Sequence, residues 1–221
     1  MKMNLLTFTA TALLFATPVA AADKTMTPSE APVPAGDYTL DKAHASLIFK
    51  VNHLGFSNYT ARFAAFDATL KFDPKTPAAA KVEASIDPNS LTLENPPKGF
   101  TEEIKGDGWL NAKTFPKMTY VSTSVEVTGD KTARITGDLT LHGVTKPVVL
   151  EATYNGGWAG LAMDPHARIG FSAHGHFNRS DFGISYGIPA PGTTMGVGDL
   201  LALHIETELN NPDAPGVQVG P

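Results

Sequence analysis

The chain has 221 residues, 17 Lys and Arg against 22 Asp and Glu, a net charge of −5 and no cysteine. A mild charge with no long block of one sign excludes the basic stripe of a nucleic-acid binder. The missing thiols exclude disulfides, thiol catalysis, cysteine-ligated zinc and iron–sulfur clusters, so stability must come from an apolar core.

Residues 1–22 read as a secretory signal: Lys2 precedes an apolar run from Leu5 to Ala16, followed by Pro18 and small residues ending at Ala20–Ala22. Cleavage after Ala21 or Ala22 fits this pattern. The run falls short of the ~20 apolar residues a membrane span needs. Residues 23–35, rich in Pro, Ser and Thr, form an expected flexible leader, and residues 210–221 an expected loose tail. One folded domain is expected over 36–209.

From Asp37 onward the hydropathy alternates with period two, the mark of half-buried strands. Leu47, Phe49, Val51 and His53 share one face of the first run, and Phe66, Ala68, Leu70 and Phe72 one face of the next. Val82, Ala84 and Ile86 follow. In KMTYVSTSVEV, Met118/Tyr120 and Val121/Val125/Val127 fall on opposite faces, leaving two inward sides open. Residues 137–152, GDLTLHGVTKPVVLEA, read as a hairpin with Leu139 and Leu141 on one arm. On the other arm Val148, Leu150 and Ala152 alternate together, and Val148 and Val149 compete for the inward side. Ile169, Phe171, Ala173 and Phe177 align in the next run, and Leu201, Leu203, Ile205 and Leu209 in the last.

That makes about eight strands and one helical segment, between Pro97 and Gly108, which should cover one end of the sheet. Long antiparallel strands favour a closed barrel or a two-sheet sandwich. Inward Ala68, Ala84, Ala152, Ala173, Gly137 and Gly175 leave volume, which favours an eight-stranded barrel with room for a small ligand.

Four segments carry a family resemblance: TGDLTLHGVTKPVVLEA, VNHLGFSNYTARFAAFDATLKFDPKTPAAAKVEASID, FPKMTYVSTSV and NRSDFGI. Together they resemble the YceI-like family of exported, lipocalin-shaped proteins that bind polyisoprenoids. The resemblance implies an all-β fold: an extended eight-stranded antiparallel barrel with a long apolar tunnel, located in the periplasm. It implies non-catalytic carriage or storage of an isoprenoid chain or another long-chain amphiphile. Some relatives occur beside membrane b-type cytochromes, which points to an isoprenoid quinone as ligand and such a cytochrome as partner; a homodimer suits the family shape. The candidate tunnel lining is Leu47, Phe49, Val51, His53, Phe66, Leu70, Val82, Ile86, Met118, Tyr120, Leu139, Leu141, Leu150, Phe171, Leu203 and Ile205. One departure concerns NPPKGFTEEIKGDGWLN, where the family often carries basic residues and histidine. Glu102 and Glu103 there would disfavour an anionic head, which tilts the expectation towards a neutral, quinone-like one.

Other residues admit chemistry but favour structural roles. His174, His176 and a neighbouring His204 would make a zinc or haem-handling trio, yet their face is opposite Phe171 and Ala173 and should meet solvent. No resident metal or cofactor is therefore expected. His53 is read as a core histidine bonded to backbone, with a ligand donor as the alternative. His142 is assigned to a loop. Arg179 and Asp181 should form an ion pair that pins a loop, with a head-group contact as alternative. Trp109, Phe115 and Tyr120 are read as core or rim aromatics. No G-x-S-x-G elbow and no nucleophile with an identified base occur, so an enzyme is not expected. The remaining alternative is a structural partner of a membrane redox complex with a filled core.

Overall fold

A computed structural model describes residues 33–160 and 164–214. The expected signal segment, residues 23–32 of the leader and residues 215–221 of the tail lie outside the described residues. The described residues form ten strands: β1 Gly36–His53, β2 Ser57–Phe63, β3 Phe66–Phe72, β4 Lys81–Ile86, β5 Leu91–Leu93, β6 Met118–Gly129, β7 Thr132–Leu141, β8 Val144–Trp158, β9 Ala167–Asn178 and β10 Val197–Asn211. Every pairing is antiparallel, and β10 returns to pair with β1, closing the sheet. Closure removes the exposed edges that long apolar-faced strands would otherwise present.

Ten strands form eight staves. β2 and β3 both pair along the same edge of β1, and β5 and β4 continue that arrangement on the next stave. Each pair is one stave broken by a short irregular link. The barrel is therefore closed, eight-stranded and antiparallel, as the alternation and the small inward residues predict. Of β4 and β5, β6 pairs only with β4, at Met118–Val121, so among the described pairings β5 has no partner on that side. The link from β5 to β6 fills that gap and carries α1, Phe100–Lys105, which contacts β5.

An irregularity in β6 settles the two candidate inward faces. The β6–β7 register shifts between Ser122 and Ser124, so Thr123 is an extra residue. Such a bulge reverses the alternation. Met118 and Tyr120 point inward before it, and Val125 and Val127 border the cavity after it, Val127 at an exposed position, while Val121 is exposed and does not border it. In β8, Val148 takes the inward side and Val149 faces out.

The termini extend slightly beyond the expected domain. Strand β10 runs through Asn210 to Asn211, Asn211 and Ala214 are buried, and Val33 packs with Tyr38 and Ile169. These residues join a compact cluster with Leu40, Leu70, Ala167 and Leu209 near the start of β1. A second cluster, built on Trp109, Met118, Tyr120, Leu141, Leu150, Phe182 and Ile184, lies towards the α1 end.

Candidate functional site

The barrel encloses a cavity of about 870 Å³ bounded by all eight staves and by Phe100 and Ile104 of α1. This lies in the upper part of the range usual for small-molecule sites. β10 touches it from Val197 to Leu209, which at ~3.3 Å per residue is about 40 Å of strand. The space is long, not round.

Two pairs of alanines help to hold it open. Ala68 and Ala84 are register partners on β3 and β4, and Ala152 and Ala173 are partners on β8 and β9. In the closed order of staves these two pairs lie across the barrel from each other. All four alanines line the cavity. The inward glycines act differently from the expectation that they leave volume. A Cβ on Gly137 would overlap the Tyr120 ring, and one on Gly175 would lie 2.6 Å from the Val149 carbonyl oxygen and 2.8 Å from Cδ2 of Leu150. Neighbouring atoms already occupy both places. The hydroxyl of Tyr120 donates to the carbonyls of Ile135 (3.1 Å) and Val148 (3.3 Å), and burial raises its pKa well above the ordinary phenol value.

Every residue of the expected lining, from Leu47 to Ile205, borders this cavity. His53 is exposed at its rim, not in the core, and among the described hydrogen bonds none holds its imidazole. The charged lining residues are few: His53 and Glu94 lie towards the α1 end, Asp130 and Lys131 sit in the β6–β7 turn, and Arg179 is buried. Glu102 and Glu103 are exposed, and Glu102 pairs with Lys105 at 3.2 Å; neither lines the cavity. The expected repulsion of an anionic head by these two carboxylates is therefore not built into the lining.

Arg179 is the principal correction. It makes no ion pair with Asp181, which is exposed. Its Nε donates to the Gly198 carbonyl (2.9 Å), Nη1 to Ile184 (3.0 Å) and Tyr186 (2.8 Å), and Nη2 to Val197 (2.8 Å). The guanidinium also lies 5.0 Å from the centre of the Trp109 ring. Burial lowers its pKa, and the charge of Asp199 opposes that shift. Asp199 itself accepts from the Ser180 backbone N–H (2.8 Å) and hydroxyl (2.7 Å). Arg179 thus ties the turn Arg179–Phe182 to the loop that leads into β10. Sequence alone could not show this, because its main partners are backbone carbonyls.

His142 is likewise more than a loop residue. It adopts φ +53° at the β7–β8 turn, its ring packs 4.8 Å from that of Phe115, and Nδ1 lies 3.1 Å from the Phe182 carbonyl. His174 and His204 are register partners on the outer surface, and His176 is exposed beside them. The trio does not converge as metal ligands; among the described residues, the convergent group is Asp41, His44 and Glu208. Arg168 already supplies a cation there, at 2.7 Å from Asp41 and 2.6 Å from Glu208.

Comparison with known proteins agrees with this geometry. The YceI-like domain model matches residues 38–209. A UPF0312 protein of Pseudomonas savastanoi is 39% identical over 172 residues, covering 75% of this chain and 83% of its own. Protein YceI of Salmonella arizonae is 39% identical over 189 residues, covering 84% and 88% respectively. The crystal structure of the YCEI protein of Campylobacter jejuni, 33% identical, superposes with a TM-score of 0.62 over 80% of this chain and 98% of that one. Two more distant structures share the fold. BcnA of Burkholderia cenocepacia has a TM-score of 0.65 at 24% identity, covering 76% of this chain and 98% of its own. A polyisoprenoid-binding domain of Saccharophagus degradans has a TM-score of 0.59 at 15% identity, covering 79% and 98%. An eight-stave barrel around a long apolar cavity, matched by the family model over nearly its whole folded length, makes this chain a member of the YceI-like domain family.

Proposed function

We propose that the protein binds a polyisoprenoid or similar long-chain amphiphile in the barrel and carries or stores it, without catalysis, in the periplasm. The observation that carries this reading is the elongated cavity of about 870 Å³ with an almost wholly apolar lining. Each buried CH₂ contributes roughly 0.8 kcal/mol, so a five-carbon unit contributes about 3–4 kcal/mol before the cost of immobilising the chain. Several units suffice for useful affinity, and no reactive group is needed. The polyisoprenoid-binding domain of Saccharophagus degradans, which shares the fold, supports this ligand class.

A neutral, quinone-like head is favoured. Arg179 spends most of its donors on backbone carbonyls, and the other charged lining residues lie towards the cavity ends. Burying an ionised head against such a wall would be costly. The signal-like residues 1–22 support export to the periplasm. A membrane b-type cytochrome as partner and a homodimer belong to the same proposal and follow from the family resemblance alone.

Native mass spectrometry of protein purified from its own host tests the reading. A stoichiometric apolar adduct with the mass of a prenyl quinone or related lipid is expected. Empty protein that also fails to take up geranylgeraniol or a short-chain ubiquinone would overturn it.

A further inference from the structure

The barrel wall has a break that the end-to-end cavity does not require. β1 pairs with β3 through Gly36–Thr39 and with β2 through Leu47–His53, and between these stretches the two staves make no register pairs. Both sides turn away from the gap. On β1, Leu40 and Ala45 pair with Leu209 and Thr207 of β10, so the intervening Asp41–His44 segment is surplus and bulges. This bulge is held in shape: the Ala43 N–H donates to Asp41 (3.0 Å), His44 Nδ1 lies 2.9 Å from the same carboxylate, and Arg168 of β9 binds it at 2.7 Å. On the other stave, Ala64 donates to the Ser90 carbonyl and Ala65 accepts from the Asp87 N–H, bonds that draw the link towards β4 and β5.

A separate space of about 590 Å³ occupies this break on the outer side. It shares three lining residues with the central cavity: Leu47, Phe63 and Phe66. These three side chains border both spaces. Across its outer rim, Lys42 of the bulge and Asp67 of β3 make an exposed ion pair of 2.7 Å. Small residues, Ala43, Ala45, Ala64 and Ala65, make up much of the remaining rim.

Resting on the binding role proposed above, we infer that this break is a side entrance through which a prenyl chain passes into the cavity, with Leu47, Phe63 and Phe66 as its gate and Lys42–Asp67 as an outer latch. Side-chain rotation of three apolar residues opens such a gate without breaking a ladder hydrogen bond, because none spans the gap among the described pairings. Entry through the strands that do pair would break those bonds in the open wall. At the α1 end, Phe100, Ile104 and Trp109 border the cavity, and at the other end Leu70 and Leu209 of the Tyr38 cluster border it together with the Asp130–Lys131 turn.

The absence of cysteine allows a clean test. In the Lys42→Cys/Asp67→Cys variant of the full chain, the two thiols are joined across the rim with dibromobimane. Uptake and release of anthranilate-labelled geranylgeraniol are followed by energy transfer from the chain's two tryptophans, Trp109 and Trp158. Bridging is expected to slow both rates at least tenfold while leaving Kd within about twofold, and the unbridged variant should exchange at least as fast as the parent. Unchanged rates after verified bridging, in a barrel of unchanged circular dichroism, would overturn the entrance and route the ligand through an end. As a second route, Ala65→Trp should slow exchange by filling the rim, and exchange at the parent rate would count equally against the proposal. If the unmodified protein takes up no labelled lipid, the binding role itself fails, an outcome distinct from either.

Discussion

A guanidinium buried under an aromatic ring is tolerable only when its N–H groups find acceptors, and Arg179 finds four carbonyls on the turn and loop that lead into β10. Lysine keeps the charge but cannot present a planar fork to acceptors on several sides. Arg179→Lys should lower the unfolding free energy by about 2–4 kcal/mol, as hydrogen bonds to a charged group each contribute about 1.5–3 kcal/mol. Urea titration at pH 7 reads this directly, and an unmoved midpoint would make the carbonyl contacts dispensable. The segment NRSDFGI made Arg179 conspicuous, but residue types alone suggested Asp181 as its partner. Tyr38 gives a residue-scale pH dependence. Burial pushes its phenol up to about 12, the hydrogen bond with Asn211 opposes the shift and Tyr154 adds to it. In the unfolded chain the group titrates near 10. Its contribution to stability is therefore complete below about pH 10 and is lost as pH rises towards 12. Tyr38→Phe should make the fall in urea midpoint over that interval shallower. It should also cost about 1 kcal/mol at neutral pH, through loss of the 2.6 Å bond to the Pro34 carbonyl.

Among the elements, strands with unbroken alternation were readable from the sequence, and those interrupted by extra residues were not. β4, β9 and β10 present the expected faces because each side chain simply follows the pleat. β6 changes parity at Thr123, and hydropathy alone showed only two competing faces there. The β1 bulge interrupts the alternation at the adjacent polar residues Asp41 and Lys42, where the inward side changes from Tyr38 and Leu40 to Leu47 and Phe49, a break outside the alternating run from Leu47 to His53. Its anchor is long-range: Arg168 binds Asp41, Asp164 and Glu208 at 2.6–2.8 Å. The guanidinium and the imidazole of His44, through their hydrogen bonds, hold the Asp41 carboxyl well below the usual carboxylate range. This contribution is present above the unfolded value near pH 4 and is lost as pH falls further. Arg168→Gln leaves three carboxylates facing one another. It should cost about 2 kcal/mol at pH 7, between the surface and buried limits for ion pairs. The loss should shrink at pH 3, below the unfolded carboxylate value, where protonation relieves the repulsion. Urea curves at the two pH values test this, and an equal loss at both would remove the electrostatic explanation.

For the whole molecule, the decisive question is whether the interior is space or packing, and a single substitution gives opposite signs for the two cases. The inward alanines could be read from the sequence, but the fate of the volume beside them could not, because a small residue marks either a void or a place where a neighbour leans in. Gly137 and Gly175 are of the second kind, their places taken by the Tyr120 ring and by the Val149 carbonyl with Leu150. Ala84 is of the first kind: its register partner on β3 is Ala68, and both border the cavity. In a packed core, Ala84→Leu would force side chains off their rotamers and cost about 1–3 kcal/mol. In a barrel with open space beside Ala84, the added methylenes leave water for an apolar wall, each contributing roughly 0.8 kcal/mol. The ligand-free variant should therefore be as stable as the parent, or up to about 2 kcal/mol more stable, while its affinity for a prenyl chain falls because the new side chain takes ligand volume. Thermal unfolding of delipidated protein and a geranylgeraniol titration measure the two effects independently. A destabilised variant that binds normally would show that this part of the barrel is filled and that the chain lies elsewhere.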